Sequence, residues 1–355
     1  MHDALRIDCD ALTLFLTNMF RRLGMAVGNA EICADDIVLT NLWGIDSHGV
    51  LRLPIYAQRL RKNVIKGNPN IRLLADAGAM RILDGDAGMG FLVGHHAMSH
   101  AIELAERCGI GAVSVTNSNH FGAASLYTSQ AARAGYMAIA MTNVQPNLVA
   151  PGGSRPITGN NPIAFGAPTR LGFPFLLDIS MSTVAGGKLH LAIEKGERIP
   201  LGWATDGKGC PTDDPAAALE GYLLPLGGHK GFGLSLVVDL LCGVINGGAF
   251  QHQISSMYAR PNDSSGTGHM MIALNPRLLL DENTYFDRMD QFYCTIKSSP
   301  LSNSDAKMYL PGEIEHETQE RRRAEGIPLP STLLEKINGL ASQLNVAPLA
   351  ATVRC

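Results

Sequence analysis

The chain has 355 residues, 46% of them hydrophobic, which is enough for one large domain or two ordinary ones with substantial cores. A formal net charge of -3 advertises no basic face, so neither nucleic acid nor an anionic membrane is expected as a partner. Charged residues make up only 17%, against about 25% in typical soluble proteins, which suggests surface covered by another domain or another subunit.

Seven cysteines (Cys9, Cys33, Cys108, Cys210, Cys242, Cys294, Cys355) are odd in number and scattered, with no C-x-x-C. That is the pattern of a reduced, cytoplasmic chain with structural thiols. Met1-His2-Asp3 opens no basic region followed by an apolar core, so no secretory signal is expected. The most apolar stretch, Leu234 to Ile245, is broken by Asp239 and is too short to span a bilayer. The 38 glycines suit either a loop-rich α/β protein or cofactor-binding loops.

The first seventy residues read as helical. Leu12, Phe15, Leu16 and Phe20 place a helix over Ala11 to Arg22, with Gly24 as its stop. Asn29 is the expected cap of a second helix through Leu42, and a third spans Arg52 to Lys62. Gly67-Asn68-Pro69-Asn70 looks like a linker. Strands are expected over Ile71 to Ala75 and Ala79 to Leu83, then a helix over Gly90 to Cys108. A strand (Ile110 to Thr116), a helix (Gly122 to Ala134) and a strand (Tyr136 to Thr142) imply a parallel pair with a right-handed crossover. Pro151 to Pro168 is a long irregular stretch, and such stretches are usually functional. Phe175 to Ile179 reads as a strand, Thr183 to Glu194 as a helix and Gly202 to Pro215 as a polar loop. Lys230 to Val244 is an apolar helix, His269 to Leu274 a last strand, and the tail after Asp281 helical.

Several signatures are missing. No G-x-G-x-x-G or G-x-x-x-x-G-K-[ST] occurs, and Gly85 to Gly90 has the wrong spacing. A dinucleotide would need another scaffold. No G-x-S-x-G elbow supports a hydrolase, and Ser47 beside His48 is no nucleophile pair by adjacency alone. His96 and His100 have zinc-compatible spacing, but the H-E-x-x-H glutamate and a third ligand are lacking. They read as surface or packing histidines, and no metal is expected.

Ser47, His48 and Arg52 put a hydroxyl, an imidazole and a guanidinium within six residues. Reduction of a 2-oxo acid needs such a set: an acid for the oxygen and a cation for the carboxylate. Asn117-Ser118-Asn119-His120-Phe121-Gly122 repeats the theme, so two histidines compete for the acid's role.

Asp46-Ser47-His48-Gly49 with Arg52, Pro54 and Tyr56 resembles the malate/L-lactate dehydrogenase family of NAD(P)-dependent oxidoreductases. The likeness continues in order through Asn117 to Ala123, Thr142 to Pro146, Gly159 to Ala164, Leu177 to Ser180, Pro200 to Gly207, Pro225 to Leu234 and Pro311-Gly312-Glu313. The resemblance implies an α/β fold: a non-Rossmann mixed-sheet dinucleotide-binding domain with a largely helical N- and C-terminal domain. In this chain that gives a helical part over 1–70, a mixed-sheet domain over 71–280 and a helical part over 281–355 packing back on the first. It also implies a homodimer, a small-molecule substrate, and NAD or NADP as cofactor. Two segments depart from the family pattern. Gly159-Asn160-Asn161-Pro162 stands for Gly-Thr-Asn-Pro, and Asp178-Ile179-Ser180-Met181-Ser182 for Asp-Met-Ala-Thr-Ser.

The resemblance favours His48 as the proton-transfer residue, against a loop histidine bound to backbone. His120, after a strand and before a helix, is expected to line the site and is the rival acid. Arg52 is the expected carboxylate clamp, against a surface ion pair. Ser47 either bonds substrate or caps the third helix. Asn143 is carried over as a substrate contact and Pro146 as lining the nicotinamide end. His229 and Lys230, at a glycine-rich helix start, suit phosphate. Asp178, Ile179, Ser180, Ser182, Gly312 and Glu313 are carried over as cofactor contacts. Arg321 to Arg323 read as a solvated helix face in preference to a 2′-phosphate site. The leading function is hydride transfer between a nicotinamide and a small 2-hydroxy or 2-oxo acid. A cyclic imino-acid reductase (Δ1-piperideine- or pyrroline-2-carboxylate) is the alternative, and a catalytically silent ligand-binding relative is a third reading.

Overall fold

A computed structural model of the chain describes residues 4–303 and 306–351; Met1 to Asp3, read above for a signal, and Cys355 lie outside them. The chain opens with β1 (Ala4–Ile7), α1 (Cys9–Arg22) and α2 (Val27–Leu42). Two 3-10 turns, Asp46–His48 and Val50–Arg52, lead into α3 (Leu53–Arg61). Next come β2 (Arg72–Asp76), β3 (Met80–Asp84), α4 (Gly90–Cys108), β4 (Ile110–Ser118), α5 (Ser125–Arg133) and β5 (Met137–Thr142). The short β6 (Leu148–Val149) and β7 (Pro156–Thr158) pair with each other, before β8 (Ile163–Ala167) and β9 (Phe175–Ile179). A small lobe holds α6 (Gly187–Lys195), the paired β10 (Ala204–Thr205) and β11 (Pro211–Thr212), and α7 (Pro215–Leu219). Then α8 (His229–Asp239) runs into a π-helical turn at Leu240–Val244. β12 (Thr267–Leu274), α9 (Glu282–Lys297), α10 (Glu313–Glu325), β13 (Ile327–Pro330) and α11 (Ser331–Gln343) follow.

Local chemistry accounts for the first helix. Asp8 accepts from the Ala11 N–H at 2.9 Å, Asp10 sits in the first turn, and Arg21 and Arg22 close the last. Leu12, Phe15, Leu16, Met19 and Phe20 form its buried stripe. That stripe joins one continuous core with Ile37 of α2, Phe91 and Ala97 of α4, and Val113 and Val115 of β4. The N-terminal helices are therefore packed onto the sheet. The Gly67 to Asn70 segment expected to be a linker is likewise tied down: Asn68 accepts from the Ala26 N–H and donates to the Gly24 carbonyl, and the Asn70 N–H donates to Asp86, each at 2.8 Å.

The main sheet has seven strands in the order β2-β3-β4-β12-β5-β8-β9. Only β3 and β4 pair in parallel, across the α4 crossover. The expected parallel pairing of β4 with β5 does not form. They run the same way, but β12 lies between them, antiparallel to both. β8 was hidden inside the irregular 151–168 stretch, whose Gly and Pro content masks a five-residue strand. The regions read as wholly helical also exchange a strand pair, with Ile7 opposite Ile327 and Leu5 opposite Leu329. Asn29 does not cap α2, which begins at Val27; its amide bonds the Gly67 carbonyl at 3.1 Å instead. The Thr183–Glu194 helix begins only at Gly187.

Candidate active site

The His48 loop is held from three sides. Asn41, in the last turn of α2, accepts from the Val50 N–H at 2.8 Å and donates to Asp46 Oδ1 at 2.7 Å. A Cβ on Gly49 would lie 2.2 Å from Asn41 Oδ1, so this close approach requires glycine. Arg322 of α10 then grips Asp46 with two bonds, 2.6 and 2.9 Å, and also donates to the Asn41 carbonyl. Arg322 is thus a mostly buried anchor of the histidine loop, which corrects its reading as part of a solvated face.

His120 is placed by the opposite wall. β4 ends at Ser118, and Asn119 donates to the carbonyls of Ala87 and Gly88 at 2.9 and 3.0 Å. Arg59 of α3 donates to Asn119 Oδ1 at 3.0 Å. Phe121 stacks on His269 at 4.6 Å, and Tyr127 donates to the Phe121 carbonyl. His269, fully buried on β12, reaches Thr142 on β5 and Ser118 on β4, each at 2.8 Å.

These walls bring the two rings together. His48 and His120 stack with centroids 5.4 Å apart and planes 13° from parallel. His48 Nδ1 faces the Ser47 hydroxyl at 2.9 Å. His120 Nδ1 faces the Tyr56 hydroxyl at 2.7 Å and the Gly122 N–H at 3.3 Å. Burial, above all, raises the Tyr56 phenol well above its usual range, so it is a neutral donor. Two donors at Nδ1 assign the His120 proton to Nε2. Among the described residues, neither Nε2 has a hydrogen-bond partner. Burial first, then the Arg52 charge, pushes His48 down to about 4. Burial, then His48 and Arg52, holds His120 well below its ordinary value. Both imidazoles are neutral at pH 7.

Arg52 is turned toward the same place. Its Nε donates to the Ser47 carbonyl at 2.7 Å, and its guanidinium lies 5.2 Å from the Tyr258 ring centroid. No described residue accepts from its Nη1 or Nη2. Ser47, His48, Arg52 and His120 therefore converge. Asp46, Tyr56 and Asn119, which stand in the quoted motifs without a role, are neighbours of this group, as are Arg322 and two residues that no motif singled out, His269 and Tyr258.

The remaining predicted residues form other groups. Asn143 is fully buried, its carbonyl filled by the Gly268 N–H (2.8 Å) and its amide by the Ala249 carbonyl (2.9 Å). It brackets two loops and exposes nothing to a ligand. Pro146 is half-buried in the loop after β5. Asp178 accepts from the Ser125 N–H at 2.8 Å, at the start of α5 and five residues after His120. Burial raises its pKa. Ile179 pairs with Ile163, and the Ser180 and Ser182 hydroxyls meet at 3.0 Å. The backbone of this segment bonds Asn160 and Leu226, the latter leading to His229 and Lys230. Both of those side chains are exposed on the first turn of α8. A Cβ on Gly231 would strike the Leu226 carbonyl at 2.5 Å, so glycine lets this helix start press against the 178–182 segment. The exposed Lys230 and His229 side chains and the open space above Gly228 fit a dinucleotide's phosphates, while the N–H groups of Gly228, Lys230 and Gly231 are bonded to Pro225, Gly227 and Leu226. Gly312 is buried against β9, and Glu313 is paired with Lys297 at 2.7 Å. Gly312 lines a cavity of about 670 Å³ with Trp43, Phe173 and Glu315; His48, Arg52 and His120 do not line it. His96 and His100 lie on α4 with Nε2 atoms 3.1 Å apart, and no cluster of three or more metal-ligating side chains occurs among the described residues.

The chain as a whole is similar to known proteins. A malate dehydrogenase of Pyrococcus abyssi is 38% identical over 352 residues, covering 97% of this chain and 96% of that protein. An L-sulfolactate dehydrogenase of Methanothermobacter thermautotrophicus is 34% identical, covering 96% of this chain and 98% of that one. The solved sulfolactate dehydrogenase of Methanocaldococcus jannaschii superposes with a TM-score of 0.91 at 32% identity, covering 96% of this chain and 98% of that one. The family model for malate/L-lactate dehydrogenase matches residues 7–338, and the chain belongs to that family.

Proposed function

We propose that this enzyme is a nicotinamide-dependent dehydrogenase of a small 2-hydroxy acid, working between the hydroxy acid and its 2-oxo acid. The observation that carries the reading is the stacked His48–His120 pair beside the unpaired Nη1/Nη2 edge of Arg52. A bound NAD or NADP takes or supplies the hydride at the substrate's C2.

Arg52 holds the substrate carboxylate through that edge, as a guanidinium can bond both oxygens. His120, its Nδ1 occupied by donors, presents Nε2–H to the C2 oxygen as a neutral donor. His48 is the imidazole whose tautomer is free, because the Ser47 hydroxyl can donate to Nδ1 or accept from it. His48 takes the hydroxyl proton during oxidation and returns it during reduction. Its low pKa keeps it in the basic form at neutral pH. A carboxylate docked on Arg52 offsets the positive charge that helps depress His48, so proton capture becomes easier once substrate is bound. Lys230 and His229, exposed on the first turn of α8, would hold the cofactor's phosphates, and Asp178, Ile179, Ser180, Ser182, Gly312 and Glu313 are the further residues that would contact it. The buried free thiols of Cys33 and Cys242 suit a reducing compartment, the cytoplasm.

The test is the absorbance of NADH and NADPH against a panel of 2-oxo acids, with cyclic imino acids alongside. Turnover with a 2-oxo acid is expected. Turnover with imines alone would transfer the reading to the imino-acid reductase, and no turnover with any member would sink it.

A further inference from the structure

Between the turn at Gln251–Gln253 and β12 the chain makes a long loop that passes over the start of α3. The loop is closed on itself by the Ser255 N–H donating to the Ser265 carbonyl at 3.0 Å. Its base is fastened to α3. Arg59 Nη2 donates to the Asp263 carbonyl at 3.1 Å and to the Ser265 hydroxyl at 3.0 Å, and Lys62 donates to Asn262 at 2.7 Å. Arg59 is fully buried and has no carboxylate partner among the described residues; its Nε and Nη1 are unsatisfied. A cation kept there at such a cost is a rigid post, since releasing any of its three bonds would leave it lonelier still. It fixes the 263–265 segment to the same helix that Arg52 leads into, and through Asn119 to the strand end that carries His120.

The tip of this fastened loop presents Tyr258. Its ring is half exposed (50%) and lies over the Arg52 guanidinium, 5.2 Å from centroid to Cζ. Arg52 is thus committed on two sides. Its Nε is bonded to the Ser47 carbonyl, and one face is covered by an aromatic ring. We propose that Tyr258 is a positioning residue for carboxylate recognition: its ring holds the Arg52 plane so that only the Nη1/Nη2 edge is offered, and a planar carboxylate is received end-on. This rests on the reading of Arg52 as the substrate clamp. A guanidinium free to tilt would lose the geometric advantage of two parallel bonds and would accept a tetrahedral anion as readily.

The experiment is steady-state kinetics with the best 2-oxo acid, comparing wild type with Tyr258→Ala, Tyr258→Phe and Tyr258→Glu. The ring is at the surface, so its removal leaves the buried core intact. Tyr258→Ala is expected to raise KM about 5-fold while kcat changes less than about 2-fold, the scale of one partly exposed cation–π contact. Tyr258→Phe restores the wild-type KM, because the ring and not the hydroxyl acts. Tyr258→Glu sets a carboxylate against Arg52 and raises KM more than about 10-fold. An unchanged KM in Tyr258→Ala overturns the proposal, as does a Tyr258→Phe enzyme as impaired as Tyr258→Ala. These outcomes presuppose a wild-type enzyme that turns over; its inactivity would instead remove the functional reading beneath them.

Discussion

Tyr56 and His120 are 64 positions apart, and their 2.7 Å contact decides which nitrogen of His120 carries the proton. Replacing Tyr56 by Phe removes one of the two donors and lets the other tautomer in. The expected result is a kcat lower by about 10-fold, on the scale of one hydrogen bond to a catalytic group, with cofactor affinity unchanged. The fold should survive, because the ring keeps its edge contact with Phe91. A kcat within 2-fold of wild type would show that Tyr56 does not orient His120. Asp46 offers a parallel test. Arg322→Ala removes its bidentate partner and frees the His48 loop, so kcat should fall while thermal stability drops by about 1–2 kcal/mol. At this scale the sequence was half legible. Ser47, His48 and Arg52 sit within one turn of chain and announce themselves by residue type. Their supports come from His120 and from Arg322, the latter 276 positions beyond Asp46, and spacing carries no record of such distant contacts.

Among the elements, β12 does the most to shape the site. It enters between β4 and β5, and its His269 bonds a hydroxyl on each of them. His269→Ala would orphan the buried Ser118 hydroxyl and open a void beneath Phe121, while Thr142 keeps its bond to the Gly268 carbonyl, and should cost about 2–4 kcal/mol in denaturant unfolding. The same residue gives a pH signature. Burial pushes folded His269 down to about 3, whereas an unfolded histidine titrates near its ordinary 6.5. Between those values the unfolded chain binds more protons, so stability from this residue is complete above about pH 6.5 and is lost as pH falls toward 3. Wild type should therefore lose denaturant midpoint between pH 7 and pH 4.5 more steeply than His269→Gln. Equal slopes would contradict the assignment. β12 was recognisable as a strand from its apolar run, but not its place in the sheet, because a strand returning after more than a hundred residues leaves no local mark of its neighbours. β8 was missed for a different reason: glycine and proline around it carry the turns on either side and swamp its short apolar signal.

For the whole molecule, the low charge fraction and the exposed apolar side chains point the same way. Leu234, Val237, Leu240, Val244 and Ile245, on α8 and its π-helical extension, are each 46–53% exposed. We propose that a second copy of the chain covers this face, as the family resemblance leads one to expect. Sedimentation should give about twice 37.9 kDa for the wild type, and Leu234→Glu with Val237→Glu should shift it to monomer. A wild-type monomer would refute this. Fold class was legible because apolar periodicity and the ordered series of motifs run through nearly the whole chain.

In the proposed reaction His48 moves the proton and His120 is the neutral donor that holds the oxygen. Single-turnover hydride transfer, measured with prebound cofactor in His48→Ala and His120→Ala, tests it directly. His48→Ala should be slower by about 10²–10⁴-fold with cofactor affinity retained, and His120→Ala should lose less. A His48→Ala enzyme that transfers hydride at the wild-type rate, while His120→Ala is inert, would reverse the two roles.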